Sequence, residues 1–535
     1  MNPVPALRTT ATPPCVVFED DHLLVVDKPP GWNTHAPSPY AGEGIHEWLK
    51  HREPRWSGLA ILHRLDKDTS GLLVFGKTPE ANRSVTRQFE ERRVEKAYRL
   101  RTDRPVDVDR CVETAAVIRN GDHYVARPRA AGLDAAETAF EVVRREGRHT
   151  VLEARPKTGR THQIRVHAAH RGWPLLGDPL YGGTPHPRLH LASVRLAFRH
   201  PASGAGLEFE APDHFDANPS DLLRRAVVHA DETDAYRRIH GGSDRPGLDV
   251  QVDRLGPYAL VQSAQDPGAL PADLAGDAEG VYFKLWNRHV RATTTETASP
   301  RPLRGTVAPD RFVIRENGVR YELSFAEGYS VGLFLDQRDN RRRLLVNHVA
   351  SGFPLFPDGA SGKEVLNAFA YTGGFSVCAA LGGARATTLD LSRKYLDWAR
   401  RNFELNGIDP AAHDFIYGDV FDWLRRLGRK GRRFDGVLLD PPTFSRSKEH
   451  GDFRAERDYG TLVSSALSVL NPGGVLFAST NAARLEPEAF LTEIRGAVSR
   501  ADRRIAALHY VPQPPDFPVS REEPAYLKTA WMRVA

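Results

Sequence analysis

The sequence predicts a multidomain α+β and α/β chain, with a mostly antiparallel-sheet N-terminal domain, a small α+β connector and a doubly wound parallel-sheet C-terminal domain. Three observations predict it. At 535 residues the chain exceeds what one hydrophobic core can organise, and typical domain sizes give roughly three compact units. Short β-rich runs separated by turn signals extend from Cys15 to Ala211. From Glu364 onward, apolar strand runs instead alternate with helical periodicity, the pattern of strands joined by crossover helices.

Taken in order, residues 1–14 are Pro/Thr-rich and are expected to be disordered, with no unbroken apolar stretch of the kind a secretory signal needs. Residues 15–225 form the first domain, with strand-like runs such as Cys15 to Phe18, Leu23 to Val26 and Leu207 to Ala211. Residues 226–345 form the connector, where Tyr258 to Gln262 and Gly280 to Leu285 read as strands around a Pro/Gly/Ala-rich loop from Asp266 to Gly276. Residues 346–535 carry strand runs at Val365 to Phe369, Gly436 to Leu439 and Val475 to Ser479, with helical runs at Tyr395 to Leu405 and Leu462 to Leu470.

Apolar residues at 41% and charged residues at 26% exclude a mostly disordered chain. Basic residues exceed acidic ones by 73 to 68, a mild preference for polyanions. Arginine outnumbers lysine, which suits phosphate and base recognition, although a GC-rich genome gives the same bias. The three cysteines, Cys15, Cys111 and Cys378, have no paired spacing, so neither a disulfide framework nor a zinc site is legible and a reducing, cytoplasmic compartment is expected. No segment reaches the length of a membrane span, so no membrane association is expected; no metal is expected from the cysteine spacing, and the sequence fixes no oligomeric state.

Two segments carry chemistry. In the first, His63-Arg64-Leu65-Asp66-Lys67-Asp68-Thr69-Ser70-Gly71 sets an acid beside an arginine before the apolar run Leu72 to Phe75. By itself this reads as a surface ion pair and a capped element start. Its partner, Arg155 to His167, crowds cations along what alternates like a strand, an arrangement that needs phosphates or a buried carboxylate to neutralise it. In the second, Val365 to Phe369 leads into Ala370-Tyr371-Thr372-Gly373-Gly374, a glycine turn that opens a helix. Asp390 ends the next strand, Asp419 follows Tyr417-Gly418, and Asp440-Pro441-Pro442-Thr443-Phe444 ends the fourth strand. Acids at successive strand ends suit ribose hydroxyls and an adenine amino group, and a rigid Pro-Pro turn with an aromatic suits a nucleobase. The glycines do not follow G-x-G-x-x-G, which lowers the odds of a nicotinamide cofactor.

The ordered motifs H-R-L-D-x-x-T-S-G, K-x-Y, T-G-R-T-H-Q-I-R-V-H and G-D-P-L-Y-G resemble the RluA-type pseudouridine synthases over nearly all of residues 15–212. The resemblance implies that Asp66 is the catalytic aspartate acting on a flipped uridine without metal or cofactor, that Arg165 pairs with it and that Tyr98 stacks on the base. It also implies that Arg64 fills the gap left by that base, with Arg160 and His162 on the substrate side. From about Tyr236 to the C-terminus the chain resembles the RlmI/RlmK-type large-subunit ribosomal RNA methyltransferases, Rossmann-like and dependent on S-adenosyl-L-methionine. That resemblance implies cofactor contacts at Asn367, Phe369, Gly373, Gly374, Asp390, Asp419 and Asp440, catalysis at Asp440, Pro441 and Pro442, and base contact at Phe444. Details of the loop Asp440 to Lys448 lean toward the guanine nitrogen-7 branch. Cytosine carbon-5 chemistry generally needs a thiolate, and the one candidate, Cys378, is spaced like a core residue. The combined expectation is a bifunctional enzyme acting on RNA, with 23S rRNA as the partner. The competing readings are a methyltransferase whose synthase-like half only binds RNA, a cytosine carbon-5 enzyme, and a small-molecule methyltransferase.

Overall fold

A computed structural model describes residues 11–128, 134–245, 247–266, 271–286, 298–328, 330–447, 451–520 and 523–535. Residues 1–10 of the expected disordered N-terminus, Pro246, part of the Asp266–Gly276 loop and Lys448 lie outside this set.

The N-terminal sheet has eleven strands among the described residues. Its main path runs Val16–Glu19, Leu23–Lys28, Ser70–Gly76, Leu191–Arg199, Glu95–Thr102, His149–Pro156, Ala135–Glu146, Arg110–Asn120 and His123–Arg127. All neighbours are antiparallel except Leu191–Arg199 beside Ser70–Gly76, so the sheet is mixed but mostly antiparallel. Ser70–Gly76 is buried along its whole length, and its continuous apolar run follows from cover on both faces. Ser193 pairs with both Gly71 and Tyr98, which sets the Asp66 loop beside Tyr98 at the middle of the sheet.

Of the strand expected along Arg155 to His167 only Arg155 and Pro156 lie in one, and the chain then turns into the helix Gln163–His170, preceded by His162 in the left-handed region. Over so few residues, alternation and helical spacing look alike. Ile164 and Ala168, four apart, enter the core together and decide the matter. Similarly, the helix expected over Leu462 to Leu470 is Ala455–Leu467, and Leu470 opens the next strand.

The connector is mainly β. Five strands, Ala235–His240, Val250–Leu255, Tyr258–Ser263, Gly280–Leu285 and Arg301–Gly305, lie in that order, followed by the hairpin Phe312–Glu316/Val319–Leu323. One face of this sheet, through Leu255, Tyr258, Leu260 and Tyr282, shares a core with Phe375, Phe477 and Trp531 of the C-terminal domain. Fully burying each such side chain contributes about 1.5–3 kcal/mol.

The C-terminal sheet runs Asp414–Tyr417, Arg385–Asp390, Glu364–Ala368, Phe434–Leu439, Leu470–Thr480, Lys528–Val534 and Ile505–Val511. The first five strands are parallel and the last two pairings antiparallel. The order reverses between Glu364–Ala368 and Phe434–Leu439, a topological switch point where ligands bind beyond the carboxyl ends of strands.

The helix Arg338–Val346 packs between the domains with Arg338, Arg341, Arg342 and Arg343 all buried. Arg338 donates to both oxygens of Asp516, at 2.9 and 2.5 Å, and Arg341 to both of Glu316, at 2.6 and 2.7 Å. Arg342 bonds Glu53 of the N-terminal domain. Asp516 also accepts the Arg237 backbone N–H at 3.0 Å, and its carbonyl accepts Arg224 at 2.7 Å. Burial alone would push the Asp516 carboxyl up, but the Arg338 charge outweighs it and holds it below the usual range. Replacing Asp516 with Ala leaves Arg338 buried without its counter-charge and is expected to cost about 3–5 kcal/mol. Urea unfolding followed by tryptophan fluorescence measures this as an earlier midpoint.

Candidate functional site

Two places gather reactive side chains. The first is a cleft of about 1710 Å³ in the N-terminal domain, lined by Arg64, Asp66, Tyr98, Arg160, His162 and Arg165 among others. Asp66 sits in the turn before Ser70–Gly76 with its side chain 33% exposed. One of its oxygens lies 3.7 Å from Arg165 Nη1 and 3.7 Å from His162 Nε2. Arg165 is itself locked by Asp178, which accepts from Nε and Nη2 at 2.7 Å each and is fully buried. The guanidinium also lies over the Tyr181 ring, 5.0 Å from its centroid. It therefore presents a fixed positive edge to Asp66, held by a second acid that sequence reading did not single out. Asp178 and Tyr181 do lie in the quoted G-D-P-L-Y-G motif, which was the available signal.

Burial and the nearby Arg165 charge lower the His162 pKa, and its Nδ1 lies 2.7 Å from the Tyr181 hydroxyl. A neutral imidazole thus faces Asp66 near pH 7. Tyr98 lines the same cleft, and burial pushes its phenol up to about 12, so it stays protonated. Lys28 also escaped notice. Its buried ammonium donates to the carbonyls of Pro29, Trp32 and Lys67 at 3.0, 2.7 and 2.9 Å, fixing the backbone next to Asp66, while burial pushes its pKa down to about 7.

The crowded cations of Arg155 to His167 are met within the chain. Arg155 pairs with Glu153 at 2.5 Å, Lys157 with Glu137 at 2.5 Å, Arg160 with Asp134 at 2.9 Å and Arg165 with Asp178. Of the two neutralisers the sequence called for, carboxylates supply the charge here. Arg64 is different: it is exposed at the cleft mouth, and no ion pair holds it among the described residues.

The second place lies beyond the C-terminal strand ends. Asp390 accepts the Tyr371 N–H at one oxygen and the Ser392 N–H at the other, each at 2.8 Å, and burial raises its pKa. Tyr417 stands opposite Asp390 in register, and Tyr417 and Leu391 are 49% and 43% exposed, so two apolar side chains flank the acid. Asp419 caps the helix Val420–Arg429 by accepting the Asp422 N–H at 3.0 Å. Asp440 accepts from Gln337 Nε2 at 3.2 Å, the same amide that donates to Ser479 at 2.8 Å, and burial pushes its carboxyl up to about 6. Gln337 is a further residue that the sequence did not mark as functional.

Between these acids, Phe369 and Tyr371 take positive φ, +59° and +50°, without being glycine. Such strain costs about 1–3 kcal/mol per residue and collects at ligand-holding turns. Gly373, at φ +77°, is required for a further reason, since a Cβ there would fall 2.7 Å from Ala399 Cβ on the helix Arg393–Leu405. A Cβ on Gly374 would meet Leu333 at 3.1 Å. These glycines therefore also admit neighbouring side chains, besides any close approach to a ligand. The Asn367 side chain is buried and donates to Ser376 at 3.0 Å, bracing the turn. Pro441 is buried and Pro442 exposed. Phe444 opens a hairpin strand, Phe444–Ser447, where Arg454 covers its ring at 5.6 Å, so it is not the free loop aromatic expected. Cys378 is in the core, 3.1 Å from the Tyr321 hydroxyl, and burial pushes its thiol up to about 12.

Residues 265–533 match the family model described as S-adenosylmethionine-dependent methyltransferase. The chain belongs to this methyltransferase family. Residues 22–170 match the model for RNA pseudouridylate synthase. A Deinococcus radiodurans protein named ribosomal RNA large subunit methyltransferase is 36% identical over 327 residues, covering 58% of this chain and 77% of that protein. A Cronobacter sakazakii protein named ribosomal RNA large subunit methyltransferase I is 33% identical, covering 56% and 75%. A solved methyltransferase complexed with SAH is 27% identical, with a TM-score of 0.50 over 64% of this chain and 88% of that one.

S-adenosylmethionine is the cofactor of the methyltransferase domain. The residues fit it. Asp390 can take the ribose hydroxyls, Tyr417 and Leu391 can flank the adenine, and Asp440 with Gln337 can receive the charged methionine end. Among the described residues, no helix is long and apolar enough to cross a membrane.

The raised pKa of Asp440 makes a signed prediction. A cationic cofactor favours the ionised carboxylate, so affinity is full above about pH 6 and falls below it, by up to about tenfold per pH unit. Calorimetric titration with S-adenosylmethionine from pH 8 to 5 measures the slope, and Asp440→Asn is expected to flatten it.

Proposed function

We propose that this protein modifies RNA at two sites, isomerising uridine to pseudouridine in the N-terminal cleft and methylating guanine nitrogen-7 in the C-terminal domain, with large-subunit ribosomal RNA as substrate. The observation that carries the first activity is the approach of Arg165 to Asp66 at 3.7 Å, under the constraint of buried Asp178. An ordinary surface ion pair would not need a second, fully buried acid to aim its arginine.

In this reading the uridine is flipped out of its stack into the cleft, against the Tyr98 ring. The bond from uracil N1 to the sugar breaks, the uracil turns while held, and a bond from C5 to the sugar replaces it. Asp66 acts either as the nucleophile at the sugar or as the base that takes a sugar proton. Arg165 stabilises its charged form. Arg64, exposed and without an acid, suits the gap that the flipped base leaves.

At the second site the cofactor supplies an activated methyl group on a sulfonium. The protein's part is to align a nucleobase lone pair with it, using the turn at Pro441-Pro442 and the acids described above. Nitrogen-7 of guanine attacks without covalent help, whereas carbon-5 of cytosine needs a thiolate. The buried Cys378 thiol, hydrogen-bonded to Tyr321, is unsuited to that role. The ribosomal substrate rests on the names of the relatives, whose matches cover little more than half of this chain.

Mapping modified bases in RNA from cells that carry single variants tests both halves. Asp66→Ala is expected to abolish pseudouridine formation and spare methylation, and Asp440→Ala to do the reverse, each by at least about a hundredfold. Pseudouridine that persists with Asp66→Ala would make the N-terminal domain an RNA-binding module. Methyl groups found on cytosine carbon-5 would overturn the nitrogen-7 assignment.

A further inference from the structure

The loop of residues 33–43 touches both halves of the molecule. At its inner end, Asn33, Thr34 and His35 line the N-terminal cleft. The Thr34 hydroxyl donates to the Leu65 carbonyl at 2.8 Å and accepts the Leu65 N–H at 3.3 Å, so this loop braces the residue before Asp66. Its base is closed by the Ile45 N–H to Asn33 O at 2.9 Å and the His46 N–H to Thr34 O at 3.1 Å. Gly44 lies so close beneath it that a Cβ there would sit 2.5 Å from His35 Cα.

The outer edge is held by the methyltransferase domain. The Tyr40 ring meets the Tyr510 ring edge-on, with centroids 5.2 Å apart, and packs against that domain's core. Its hydroxyl donates to Glu488. Gly42 faces the Val519 side chain, which a Cβ on the glycine would meet at 3.6 Å, an ordinary van der Waals distance. Glu43 bonds His51 and lies 3.8 Å from His509 Nε2. Those last three side chains also resemble a metal-ligand set, but Arg343 donates to His509 Nε2 at 3.5 Å and competes for the lone pair that a metal would need. Between the two ends, Pro37, Ser38 and Pro39 are exposed.

We propose that residues 33–43 are a positioning loop, which the methyltransferase domain clamps through Tyr510, His509 and Val519 so that Asn33, Thr34 and His35 stay in place against the uridine cleft. The inference rests on the synthase reading above. It makes Tyr40 and Tyr510 positioning residues for pseudouridine formation, although Tyr510 belongs to the other domain. Loosening the clamp lowers the fraction of molecules whose cleft is ready to bind. That raises the apparent KM by the inverse of the fraction and leaves turnover at saturation nearly intact.

The test uses the full chain and one RNA substrate, with both modifications measured. Tyr510→Ala is expected to raise the KM for pseudouridine formation roughly tenfold, with kcat within about twofold and methylation unchanged. The Tyr510 hydroxyl is buried without a hydrogen-bond partner among the described residues, so Tyr510→Phe is expected to behave as wild type. Tyr40→Ala combined with Tyr510→Ala should be no worse than Tyr40→Ala alone, because the ring contact that Tyr510→Ala removes is already lost there. An unchanged KM in Tyr510→Ala, or both activities falling together with the unfolding temperature, would overturn the inference. A wild-type protein that forms no pseudouridine would overturn the synthase reading and this inference with it, whereas an active wild type indifferent to Tyr510→Ala would overturn this inference alone.

Discussion

The buried arginines of the helix Arg338–Val346 are the constraint on which the assembly of this molecule depends. Four guanidiniums out of water are costly unless each is paired. Arg338 reaches Asp516 in the C-terminal domain, Arg341 reaches Glu316 in the connector hairpin and Arg342 reaches Glu53 in the N-terminal domain. The partners come from three regions of the chain, so satisfying one short helix fixes the regions against one another. Apolar burial contributes the larger share of stability, but it is not directional. The ion pairs, each with fork geometry or a single buried acid, select this arrangement over others that would bury similar area.

The same logic runs through both sites. Arg165 is aimed at Asp66 because Asp178 holds its other edge, and Asp440 is held by Gln337, which also grips Ser479 on the adjoining strand. In each case a carboxylate is positioned by a group that is itself buried and bonded elsewhere, which is how a site keeps its geometry when solvent competes. The two carboxylates differ in environment. Asp66 is part-exposed beside a cation, whereas Asp440 is desolvated with Asp336 nearby, which raises its pKa further.

Much of the fold was legible locally. Val365 to Phe369, Gly436 to Leu439 and Tyr395 to Leu405 lie within a residue or two of the observed elements, because apolar runs and helical spacing over such lengths have one reading. Arg155 to His167 misled because the alternation in its last residues also fits a helix whose positions i and i+4 are apolar, as Ile164 and Ala168 are. At the sites, Asp66, Asp390 and Asp440 could be singled out because each lies at or near the end of a strand inside a distinctive motif. Asn367 and Phe444 sit in such motifs too, yet Asn367 turns inward to Ser376 and Phe444 lies under Arg454, and side-chain direction has no signature in the motif.

The sequence alone therefore determined the order of the domains, the type of most elements and the acids at the strand ends, because these follow from local periodicity and short spacing. The tertiary structure decided which partner each charge takes. Nothing in a run such as Arg341-Arg342-Arg343 says which group each guanidinium will meet, and its burial depends on Glu316 and Glu53 arriving from distant parts of the chain and on the nearby Val349 carbonyl. Pairing energy depends on distance and dielectric, and both are set by the fold, not by neighbours along the chain.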